Sequence, residues 1–178
     1  MEEIPFTHYL EHMIGALAKF GMLAIILPLI PVLIFNLSLP ATVALMTTTF
    51  VVEYGAAPIG IGLGLHPIFV LYVLVCIASA ITLFLFDIFD TLGEHSERIA
   101  KFLQKSAKRA KKSRILSKYG MYGLVPCVMT LGFYVCPPVV WVFGWRRDLS
   151  ILTIMAGYIS ISVVTIFVSL GIIDIVFK

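Results

Sequence analysis

Apolar positions run almost unbroken through five stretches of the chain, and the polar residues collect between them. Ile14 to Phe35 carries one charge, Lys19, near its start, where a long stem reaches the interface; its 22 residues are enough to cross a bilayer. Pro28 and Pro31 predict a kink within it. Ser38 to Val52 falls short of the roughly 20 residues a crossing needs and runs into Glu53 and a group of glycines. Pro67 to Ile88 reads as an uninterrupted span closed by Asp87 and Asp90. Tyr119 to Trp145 is interrupted by Cys136-Pro137-Pro138, leaving arms of about 16 and 7 residues, each too short to cross. Leu149 to Phe177 has the length of a tilted last helix.

The polar interruption after Val52 carries the candidate chemistry. Between Val52 and Pro67 stand one carboxylate, Glu53, four glycines and two prolines. An ionisable group at membrane depth costs about 2.5–3.5 kcal/mol on insertion scales, so it faces protein, a partner or a water-filled cavity. Broken backbone at that depth is tolerated only under the same cover. A site explains both features together, with Glu53 taking up a proton or cation. The plainer alternative is a structural carboxylate that accepts backbone N–H bonds at a hairpin tip. Gly60-Ile61-Gly62-Leu63-Gly64 is not a nucleotide loop, since no strand precedes it and no polar helix follows; Gly60 and Gly64 fit close helix packing better. His66 is expected at the outer interface.

Composition agrees with the pattern: 60% hydrophobic and 13% charged residues with a mean hydropathy of +1.04 belong to a membrane protein. The 178 residues make one membrane domain and leave nothing for a sizeable extramembrane unit. The start, with Glu2, Glu3, His8, Glu11 and His12, lacks the basic region of a cleavable signal, so the N-terminus is expected to be retained. Cys76, Cys127 and Cys136 lie in apolar runs as buried free thiols, and their spacing offers no metal site. The chain shows no nucleophile beside a base, no HExxH and no carboxylate cluster, so no enzymatic activity and no cofactor are expected.

Nine of the thirteen basic residues, Arg98, Lys101, Lys105, Lys108, Arg109, Lys111, Lys112, Arg114 and Lys118, fall in the segment 91–118. The positive-inside rule makes it cytoplasmic, and its apolar spacing predicts an interfacial amphipathic helix resting on anionic headgroups, with no nucleic-acid role. Arg146 and Arg147 would lie outside if Tyr119 to Trp145 crossed; a chain that turns at Pro137-Pro138 and returns keeps them inside. Working backwards, a first hairpin over Ser38 to Leu65 opens outward and the N-terminus is cytoplasmic. The fold class expected is therefore all-α integral membrane: an inverted repeat of helix, re-entrant hairpin and spanning helix. Repeat 1 covers about 1–88 and repeat 2 about 119–177. Broken helices meeting near the midplane are the build of many secondary transporters. Arg146 and Arg147 either anchor the chain or reach inward to Glu53 or a headgroup. Asp87 and Asp90 read as solvated ends, and Trp141, Trp145, Tyr119 and Tyr122 as an aromatic belt.

Glu53-Tyr54-Gly55-Ala56-Ala57-Pro58-Ile59-Gly60, Lys118-Tyr119-Gly120-Met121-Tyr122-Gly123-Leu124 and Trp145-Arg146-Arg147 before a helix carrying Gly157 resemble the small multidrug export protein family. That family is similar to the DedA or VTT (SNARE-associated) membrane protein superfamily. Its second hairpin usually reads Pro-Leu-Pro-x-Thr-Gly-x-Trp, where this chain has Tyr134-Val135-Cys136-Pro137-Pro138-Val139-Val140-Trp141. The resemblance implies a plasma-membrane transporter or lipid-handling protein. The expected function is an ion-coupled (H+ or Na+) carrier of a small or amphipathic solute, with a non-enzymatic lipid scramblase as the alternative. Glu53, Tyr54, Gly55, Pro58, Gly60, Pro137, Pro138, Arg146 and Arg147 are the candidate binding residues. A homo-oligomer is compatible with the chain.

Overall fold

In the computed structural model residues 6–95 and 120–176 are described, with side chains over 13–91 and 120–171 apart from 121 and 131. Among these every regular element is helical. Four segments are long and apolar enough to cross a membrane: Met13–Phe35, Leu39–Gly62, Pro67–Thr91 and Arg147–Gly171. The predicted surface helix falls mostly on 96–119, outside the described residues.

Helix α1 (Phe6–Gly21) passes through a π-helical turn (Met22–Ile26) into α2 (Leu27–Phe35). The irregularity sits where Pro28 and Pro31 withhold their amide donors. Pro31 cannot bond the carbonyl of Leu27, and the Tyr72 hydroxyl donates to that carbonyl at 2.9 Å. Leu33, Ile34 and Phe35 are exposed, as lipid-facing residues of a peripheral helix are.

Ser38 caps α3 (Leu39–Val52), its hydroxyl accepting from the Ala41 amide. Three consecutive threonines sit in this apolar helix without cost, because Thr47, Thr48 and Thr49 each donate to a carbonyl one turn back, at 2.9, 2.8 and 2.7 Å. A 3₁₀ turn (Glu53–Ala56) ends α3 and leads into α4 (Ala57–Gly62). The span Leu39–Gly62 is not a straight rod. A Cβ placed on Gly60 would lie 3.0 Å from the Leu45 side chain and 2.9 Å from Val70, whereas a straight helix would hold Leu45 and Gly60 about 22 Å apart. The two arms therefore lie side by side, and Gly60 provides the close approach. Gly64 does not pack as expected; nothing stands within 4 Å of its Cβ position, and its φ of +80° instead serves the turn into the next helix.

Helix α5 (Pro67–His95) is the centre of the molecule: 56% of its apolar window is buried, against 17–33% in the other three spans. Val70, Val73, Leu74, Ile77, Ala78 and Phe86 are buried along it. A 3₁₀ turn (Gly120–Gly123) opens the second half, followed by α6 (Leu124–Leu131), α7 (Cys136–Phe143) and α8 (Arg147–Val176). The break between α6 and α7 falls at residues 132–135, ahead of the prolines expected to make it. Proline at the first turn of a helix forfeits no internal hydrogen bond, so Pro137 and Pro138 begin α7. Gly132, at φ 82° and ψ 172°, makes the bend in a region essentially closed to other residues. At Gly157 the α6 backbone comes close, with Val125 Cα 3.3 Å from where a Cβ would be.

Candidate functional site

The break after Val52 is a conformational one. Glu53 adopts φ 56° and ψ −129°, a positive-φ state that costs a non-glycine residue about 1–3 kcal/mol unless its surroundings impose it. The bend after α6 packs against the residue in this state. Phe133 donates its amide to Glu53 Oε2 at 3.2 Å, and the Gly132 α-carbon lies so close that any side chain there would overlap the carboxylate. The tips of the two broken segments thus meet at Glu53.

Two tyrosines tie the tips together in opposite senses. A helix end leaves its last carbonyls without internal donors, and in an apolar environment each needs another partner. Tyr134, after the bend that follows α6, donates its hydroxyl to the carbonyl of Phe50 in the last turn of α3 at 2.6 Å. Tyr54, after the end of α3, donates to the carbonyl of Met129 in the last turn of α6 at 3.2 Å. Each segment's tyrosine satisfies the other's helix end.

Beside this junction lies an open groove of about 440 Å³, lined by Val51, Val52, Glu53, Tyr54, Gly55, Thr130 and Gly132. Glu53 is its one ionisable carboxylate, and among the described residues no lysine or arginine pairs with it. The Thr130 hydroxyl turns to the Pro126 carbonyl at 2.8 Å, and Val51 and Val52 give the groove an apolar side. The groove can take a small cation or a proton with an apolar body beside it, and among the described residues it offers no positive charge to an anion.

Of the residues singled out in the sequence, Glu53, Tyr54 and Gly55 are brought together here. Pro58 and Gly60 lie in α4, Pro58 exposed at its first turn and Gly60 packed between Leu45 and Val70. Pro137 and Pro138 begin α7. Arg147 stands elsewhere: it donates from Nη2 to Asp87 Oδ1 at 2.5 Å and from Nη1 to Asp90 Oδ2 at 2.7 Å, with its guanidinium over the Phe86 ring. Lys19 approaches Asp87 at 3.9 Å. Asp87 and Asp90 are therefore not free solvated ends but the clamp that joins the far end of α5 to the start of α8. One guanidinium spanning two carboxylates holds geometry that a lysine could not. Arg146 is exposed and forms no ion pair among the described residues. Thr130, Gly132, Phe133 and Tyr134 join the site only in the fold, and nothing in the local sequence around them signals that role.

No curated protein and no solved structure matches the chain. The family model described as "Putative small multi-drug export protein" matches residues 53–164, which begin at Glu53, where α3 has ended, and include α4, α5, the second broken segment and the first half of α8. That description concerns export across a membrane and names no catalytic activity. With almost two thirds of its length matched, the apolar multi-pass chain belongs to this small multi-drug export protein family.

Proposed function

We propose that the protein is an ion-coupled carrier in which H+ or Na+ is taken up at Glu53, in a groove between two opposed re-entrant hairpins. The observation that carries this reading is the unpaired Glu53 carboxylate held at the junction of two helix breaks. The hairpins would be Leu39–Gly62 and residues 124–143, entering from opposite faces of the plasma membrane in an inverted repeat. The exchange of tyrosine hydroxyls between Phe50 and Met129 carbonyls supports that arrangement, because each half supplies the other with the same service. The basic segment 91–118 and the N-terminus would be cytoplasmic, with the segment resting on anionic headgroups. Carriers built from broken helices place coupling ions at such breaks, and the substrate would be a small or amphipathic solute lying along Val51 and Val52.

In proteoliposomes the full chain is expected to carry H+ or Na+ only when a gradient of that ion is imposed, and to drive solute uptake with it. Redistribution of labelled lipid without any ion gradient would replace the carrier by a scramblase.

The hairpins make a separate, simpler prediction. In a chain stripped of Cys76, Cys127 and Cys136, single cysteines at the exposed positions Leu39 and His66 should both react with an impermeant maleimide from one side of the membrane. A cysteine at the exposed position Asp148 should react from the other. Opposite-sided labelling of Leu39 and His66 would make Leu39–Gly62 a crossing helix, and labelling of Asp148 with His66 would do the same for residues 124–143.

A further inference from the structure

Hydroxyls on these helices follow one rule with few exceptions. On α8, Ser150, Thr153, Ser160, Thr165 and Ser169 each donate to the carbonyl four residues back, at 2.6–2.9 Å. Ser162, on the same helix and fully buried, does not, and among the described residues only the Tyr158 hydroxyl stands near its Oγ. One turn earlier, about 6 Å along the axis, the hydroxyl of Tyr158 is also fully buried, close enough to Ser162 to interact with it and otherwise without a partner among the described residues. Buried polar groups are nearly always satisfied, commonly by internal water when protein offers nothing. Two adjacent exceptions on one helix face call for a common cause.

Their position supplies it. The Tyr158 ring packs edge-on against Phe133, 5.1 Å between centroids, and against Tyr54 at 6.4 Å. Phe133 is the residue whose amide holds Glu53. Tyr158 therefore lies one side-chain layer behind the Glu53 carboxylate, in the field of Glu53, Tyr54 and Tyr134, with Ser162 beyond it. Neither Tyr158 nor Ser162 lines the open groove. A third unpartnered hydroxyl, Thr82 Oγ1, shares the α5 face of Ser79, Phe86 and Asp90, whose members touch Met155 and Arg147 of α8.

We propose that Tyr158 and Ser162 hold a short file of water between α5 and α8, through which protons reach Glu53 from the side away from the groove. The proposal rests on Glu53 being the site of ion uptake and specifies the ion as H+. Two neutral hydroxyls can pass a proton along water but cannot replace the hydration shell of a sodium ion. In one transfer the Tyr158 phenol gives its proton to water beside the Glu53 carboxylate, and that water passes one on to Glu53. The phenol takes another from a hydronium that has entered beside Ser162 and is left as water. The charge of Tyr158 is unchanged, and Glu53 gains the proton. Tyr158 and Ser162 are positioning residues for that path.

The test uses the full chain in proteoliposomes with a pH-sensitive dye inside. Tyr158→Phe and Ser162→Ala are each expected to lower proton flux by about tenfold or more, while Ser162→Thr, which restores a hydroxyl, keeps it. The melting midpoint of both deletions in detergent should be unchanged or lower, since each removes a group that water had satisfied. Unchanged proton flux in both overturns the proposal. A wild-type chain that moves Na+ and not H+ also overturns it; if the chain moves no ion at all, the ion reading of Glu53 is revised separately and the midpoints decide whether the two hydroxyls hold water. A rise of several degrees in Tyr158→Phe or Ser162→Ala marks dry, frustrated hydroxyls, and an unchanged or lower midpoint keeps the file. Should Tyr158→Phe fail to fold, Ser162→Ala reads both measurements alone.

Discussion

Glu53→Gln is expected to insert and fold like the wild-type protein yet to show gradient-driven flux no greater than that of protein-free vesicles. Glutamine keeps the length of the side chain and an oxygen able to accept the Phe133 amide, so the contact that joins the two tips survives. What it deletes is the titratable, chargeable group, the one carboxylate of the groove. Its effect on stability should stay within about 1 kcal/mol, the range of near-isosteric changes that leave no group unpaired. Glu53→Leu separates the two roles. Leucine leaves the Phe133 amide without an acceptor in an apolar setting, which costs about 1–3 kcal/mol, so this variant should lose folded yield as well as flux. Transport at the wild-type level by a well-folded Glu53→Gln protein, measured at equal reconstituted amounts, would reduce Glu53 to a structural acceptor and remove it as the coupling site.

The membrane class and the break at Glu53 are legible in the sequence because both are matters of composition over short distances. A carboxylate, four glycines and two prolines within sixteen residues of an apolar chain mark a break whether the carboxylate binds an ion or only accepts a backbone amide. The second break is legible as an event but misplaced by a few residues. Pro137-Pro138 is conspicuous, yet prolines are as content at the start of a helix as at a turn. The residue that makes the bend, Gly132, looks like any glycine until Glu53 is known to lie against it. Long-range pairing is invisible in the same way. Asp87 and Asp90 are 60 and 57 residues from Arg147, and read singly each looks like a helix end reaching water. The exchanged tyrosines belong to a third kind: Phe50 and Met129 need donors only because their helices stop where they do, and no local pattern announces that.

Gly132→Ala should be the most damaging single-methyl change in the described part of the chain. Two separate costs coincide. At φ 82° and ψ 172° the residue occupies a region essentially restricted to glycine, and a Cβ there adds about 1–3 kcal/mol of backbone strain. The same Cβ would also overlap both oxygens of the Glu53 carboxylate. That side chain cannot swing away without giving up the Phe133 amide and leaving it unpaired. Together these make a loss of about 4 kcal/mol, in the range reserved for disrupted cores and strained backbones, and a fall of roughly 10 °C or more in the melting midpoint in detergent. Gly144→Ala is the matched control. Its φ of +65° also disfavours a side chain, but nothing lies within 4 Å of its Cβ position, so about 1–2 kcal/mol is expected. Adding Glu53→Ala to Gly132→Ala removes the overlap and keeps the strain. The double variant should therefore recover part of the loss, a coupling that distant sites do not show. If Gly132→Ala melts within a degree or two of the wild type, or if the two substitutions simply add, the carboxylate does not lie over Gly132 and the junction of the two tips must be drawn differently.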